Sequence, residues 1–84
     1  PNPFNPATTL HFELAAPAPC RVRIHDLRGR LIWDSGELTG RAGANSVTWR
    51  GVDGSGVPVP AGVYVYGIVA KGRHQASGKL TLVP

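Results

Sequence analysis

The side chains able to do chemistry in this chain are few and dispersed. Ser35, Ser46, Ser55 and Ser77 are the serines. Gly54-Ser55-Gly56 lacks the Gly-x-Ser-x-Gly spacing that presents a nucleophile on a strand-to-helix turn, so Ser55 reads as a turn residue. The carboxylates Glu13, Asp26, Asp34, Glu37 and Asp53 fall at turns or on outward strand faces, which indicates no general acid–base pair. His11, His25 and His74 are far apart, and neither they nor Cys20 show zinc-ligand spacing. His11 and His25 would meet only if their strands were neighbours. Asp53 with Ser55 and backbone carbonyls offers too few oxygens for a calcium loop. Asp26 and Asp53, close to glycines, are placed to accept backbone N–H bonds and shape turns. The pattern implies a non-enzyme with no metal and no cofactor.

Binding chemistry remains. Nine Lys and Arg stand against five Asp and Glu, so the chain is basic. Arg21 and Arg23, with His25, form a stripe that serves either as a solvated strand face or as a contact for an anionic partner. The aromatic residues also have two readings. They fill a core, or they form a stacking platform beside the arginines as in an oligonucleotide-binding barrel. The core reading is preferred, because a chain of 84 residues has little else to bury. Cys20 is the only cysteine, which rules out an internal disulfide, and its phase with Val22 and Ile24 makes it a buried thiol.

Alternation defines the elements that position these groups. A Pro- and Asn-rich lead-in over residues 1–7 is extended, since each proline fixes its own φ and restricts the residue before it. Residues 8–84 then read as one all-β domain, a small antiparallel Ig-like or fibronectin-like β-sandwich of six to seven short strands. Strands are expected at 8–14, 20–26, 30–34, 45–49, 62–70 and 77–83. Residues 15–19 and 36–44 are expected to be connections, and Lys71-Gly72-Arg73 a tight turn. Leu27-Arg28-Gly29 fits a three-residue hairpin loop with positive φ at Gly29. Asp53, Gly54 and Gly62 belong to an irregular stretch between strands. The predicted core is Leu10, Phe12, Leu14, Val22, Ile24, Trp33, Val47, Trp49, Tyr64, Tyr66, Ile68, Leu80 and Leu82. The absence of methionine and the start at Pro1 suggest a processed product or an excised domain.

Several short motifs occur in one order. They are Pro1-Asn2-Pro3-Phe4-Asn5-Pro6 with Thr8-Thr9-Leu10, Val22 through Arg30, Val47-Thr48-Trp49, Gly51, Asp53 through Gly56, Gly62 through Tyr66, and Lys79-Leu80. In this the chain resembles the immunoglobulin-like C-terminal modules of secreted bacterial proteins, related to type IX secretion sorting domains and to the Ig-like domain of the flagellar hook-capping protein. It departs from them in having Asp53 as the only acidic residue of its loop and in ending Leu82-Val83-Pro84 without a basic residue.

The resemblance implies an extracellular or cell-surface module for secretion targeting, attachment or structural presentation. Its partners would be proteins: an upstream domain, secretion or surface machinery, or identical subunits through edge strands. Asn2, Phe4 and Asn5 of the lead-in, with Arg21 and Arg23, are the candidate contact residues. The alternatives are a self-assembling subunit of an extracellular filament or surface layer, and a small basic nucleic-acid-binding barrel. Nucleic acid is disfavoured, a carbohydrate ligand stays open, and no apolar run is long enough to span a membrane as a helix.

Overall fold

A computed structural model describes residues 7–83. Asn2, Phe4 and Asn5 lie outside the described residues, as does nearly all of the expected lead-in. Strand β1 (Thr8–Leu14) alternates with Leu10, Phe12 and Leu14 buried, and it pairs antiparallel with β5 (Gly43–Trp49) from Thr8 opposite Trp49 to Leu14 opposite Gly43. These two strands form the small sheet. The other sheet has five strands and is built around β2 (Ala18–His25). One edge of β2 pairs with two short strands, β3 (Leu31–Asp34) and β4 (Leu38–Gly40). On its other side lie β6 (Gly62–Ala70) and then β7 (Arg73–Leu82). The inward rows of both sheets meet in one core around the fully buried Val22, Ile24, Trp49 and Ile68. The result is an all-β sandwich of two separate sheets, so the small-barrel alternative does not form.

Four expectations are corrected. Ala18 and Pro19 open β2 and are not part of a connection: Pro19 lacks a donor, but its carbonyl still accepts the Lys71 N–H at 3.4 Å. The stretch 36–44 contains β4, and β5 starts at Gly43. Gly40 in that stretch is a packing glycine, since a Cβ there would stand 2.5 Å from a Leu14 methyl and 2.8 Å from the Ala18 carbonyl. Strand β7 starts at Arg73, because Lys71 and Gly72, at φ 53° and 72°, make the two-residue turn by themselves. His11 and His25 lie in different sheets and do not face each other across neighbouring strands.

Of the predicted core residues, Leu10, Phe12, Leu14, Val22, Ile24, Trp49, Tyr64, Ile68, Leu80 and Leu82 are buried, and Ala18, Cys20 and Ala70 join them. Trp33, Val47 and Tyr66 are packed against it but only half-buried. Two strands cannot cover five, so the margins of the larger sheet stay partly open. Tyr66 uses that margin by lying over Gly78, where a Cβ would come within 2.7 Å of its hydroxyl.

Candidate functional site

Two regions gather polar side chains. The first is the end of the sandwich where the β2–β3 hairpin meets the loop between β5 and β6. The chain reverses after β2 because Gly29 adopts φ 86° and donates its N–H to the Asp26 carbonyl at 3.0 Å. The Asp26 carboxylate accepts the N–H groups of Arg28 (2.9 Å) and Arg30 (3.0 Å) on Oδ1, and the Arg30 Nε–H (3.0 Å) on Oδ2. The Arg30 backbone bond, with Arg30's side chain and charge and the Arg28 N–H, holds its carboxyl below the usual carboxylate range against some burial.

Asp53 does the same for the longer loop, accepting Ser55 N–H at 2.8 Å and Val57 N–H at 3.0 Å. Gly54 donates to the Ile32 carbonyl at 3.0 Å, which ties this loop to β3. Gly62, at φ 150°, brings the chain into β6. Beneath the loop, Trp49 and Tyr64 pack edge to face, and both donate to its backbone: Trp49 Nε1–H to the Val52 carbonyl (2.8 Å) and Tyr64 O–H to the Pro60 carbonyl (2.6 Å). An open cleft of about 520 Å³ lies between hairpin and loop, bordered by Leu31, Val59, Pro60 and both aspartates. The carboxylates of Asp26 and Asp53 both accept backbone N–H groups of their turns.

The second region is the outer face of the larger sheet. Arg21 and Arg23 lie here, and both donate to a single oxygen of Asp34 on β3, through Nη1 and Nε at 3.1 Å each. Asp34 Oδ1 accepts the Gly36 N–H at 2.8 Å. Burial pushes the Asp34 carboxyl up, but the Gly36 bond and the two guanidiniums outweigh it and hold it below the ordinary value. Asp34 was not singled out in the sequence. Its signal is that β3 pairs it directly with Arg23, which is visible only once register is known. Cys20 is buried, and burial raises its thiol pKa. Among the described residues no three His, Cys, Asp or Glu side chains are grouped to hold a metal, and no helix is long and apolar enough to cross a membrane.

This architecture has known relatives. Residues 3–79 match the family described as the FlgD Ig-like domain. No curated protein matches the chain. Among solved structures, FlgD from P. aeruginosa superposes with a TM-score of 0.74 at 22% identity, over 90% of this chain and 60% of that one. FlgD from Xanthomonas campestris, whose structure gives insights into the hook capping essential for flagellar assembly, superposes with a TM-score of 0.73 at 20% identity, over 94% and 57%. The chain thus spans less than two thirds of either structure, and at such identities the likeness is one of fold. With a family match over nearly its whole length, the chain belongs to the FlgD Ig-like domain family.

Proposed function

We propose that this chain is a non-enzymatic structural module that works by protein–protein association in an assembly exported beyond the cell membrane, in the manner of hook-capping proteins. The single observation that carries this reading is the family match over residues 3–79. The site geometry supports it: the Asp26 and Asp53 carboxylates and the Tyr64 hydroxyl that border the cleft are bonded to the backbone of its turns and loop. A rigid two-sheet body with well-fixed loops suits presentation of a surface.

A second reading, targeting to the secretion machinery or cell surface, is supported by the order of the sequence motifs and by the Asp53 turn they include. One experiment separates the two. The chain is fused to a reporter enzyme, and export of the reporter and association of the purified fusion are followed separately. Association predicts that the purified fusion assembles into higher-mass species while export of the reporter does not depend on the chain. Export of the reporter that requires the chain, with no association of the purified fusion, favours targeting. Neither association nor chain-dependent export would defeat both.

A further inference from the structure

The outer face of the larger sheet carries a cationic strip that no turn or core contact requires. Register lays it across three strands. Arg23 stands opposite Gly67, and Gly67 opposite Ser77. The row on one side of it is His25, Val65 and Lys79, and the row on the other side is Arg21, Val69 and His74. Their neighbours in sequence on β2 and β6, Val22, Ile24 and Ile68, point inward and are fully buried, which fixes this row as the outward one.

Two shallow depressions of about 370 and 360 Å³ share this face, and Arg23 and Val69 border both. Gly67 floors the second. With no side chain there, the His74 ring settles over it, 3.3 Å from where a Cβ would stand.

The arginines are held in place. One Asp34 oxygen fastens Arg21 and Arg23 side by side, yet their side chains remain 37% and 44% exposed. Each guanidinium has five N–H donors, so most remain for a ligand while part of the ordering entropy is already lost. Among the described residues no ion pair engages Lys79. At the margin, Lys71 and Glu37 offset each other, so the face keeps an excess of positive charge.

We propose that this face docks the acidic side chains of a partner protein, with glutamate or aspartate carboxylates seated on the Arg21–Arg23 pair and, separately, on Lys79, and apolar groups resting on Val65 and Val69 between them. Planar guanidinium forks match carboxylates in geometry as well as charge. A protein is favoured over a nucleic acid because the strip presents valines between its charges, and of the Trp, Tyr and Phe side chains among the described residues only Tyr66 borders its depressions. Trp33 and Tyr66 are packed against the core, and Trp49 and Tyr64 are buried in it. The proposal rests on the association reading and adds to it a surface and a partner chemistry.

The test uses a fluorescently labelled peptide alternating glutamate and valine, titrated by anisotropy at low and high salt. Binding should weaken about tenfold in Arg23→Ala and in Lys79→Ala, as expected for truncating one member of a charge pair. Arg50→Ala, off the face, should leave it unchanged. Lys79 is exposed, so its variant tests the idea even if Arg23→Ala perturbs the fold. No measurable binding would overturn the proposal, as would equal loss in Arg50→Ala or a single-stranded oligonucleotide bound more tightly through the same residues. Assembly of the native protein is measured in parallel. If it persists in Arg23→Ala and Lys79→Ala, this face is excluded while the association reading stands.

Discussion

The rings of Trp49 and Tyr64 lie with centroids 5.2 Å apart and planes at 72°, and each sends its one polar hydrogen upward to a carbonyl of the same loop. This pair joins the core to the 50–61 loop, because neither N–H nor O–H could be buried without a partner.

Tyr64→Phe therefore keeps the edge-to-face contact and removes only the bond to Pro60. It should destabilise the fold by about 1 kcal/mol. Trp49→Ala should cost about 3–5 kcal/mol, since a fully buried ring is lost together with its bond to Val52. Urea unfolding of both variants measures the difference. Equal losses would mean that the hydroxyl bond, and not the ring, dominates.

Two glycine substitutions should differ for distinct reasons. Gly29→Ala meets no atom within 4 Å, and only its positive φ is strained, so a loss of about 1 kcal/mol is expected. Gly40→Ala collides with Leu14 and with the Ala18 backbone, and should cost more, about 1–3 kcal/mol as overpacking does. A Gly40 variant as stable as the parent would show that the two sheets adjust freely.

The carboxyls of Asp26 and Asp34 are both held below the ordinary carboxylate value. A group depressed in the folded state contributes stability above its unfolded pKa and loses it as pH falls through the folded pKa. Stability should thus be flat above about pH 5 and decline below about pH 4. Asp34→Asn should flatten that acid decline in a thermal melt series. An unchanged acid slope would show that its pairing with Arg21 and Arg23 adds no stability.

Cys20 is 4% exposed and its thiol pKa is raised, so it should be inert to iodoacetamide in the native state. It should react at the rate of a free thiol once the chain is unfolded in urea. Fast native labelling would mean that the margin near β4 opens readily.

The sandwich was legible because alternation is a local signal. Leu10, Phe12 and Leu14 announce β1 with no knowledge of β5. What was not legible depends on register and on packing between sheets. Nothing in Leu38-Thr39-Gly40 reads as a strand, and it becomes one because Ala18, Pro19 and Cys20 offer it an edge. Tyr66 and Trp33 have the right phase yet remain half-buried, because sheet width is a property of the whole fold. The same holds for the outer strip. Arg21 and Arg23 stand out in the sequence, but His74, Lys79 and Asp34 join them only through the pairing of β2, β3, β6 and β7.

Hydroxyl-radical footprinting of the native assembly against its dissociated form tests most directly whether the chain works by association. Side chains in a protein–protein contact lose solvent access, whereas those of the core are protected in both states. The account predicts a contiguous set of side chains within residues 7–83 whose oxidation falls on assembly, centred on His25, Val65 and His74. Unchanged oxidation throughout these residues would contradict it.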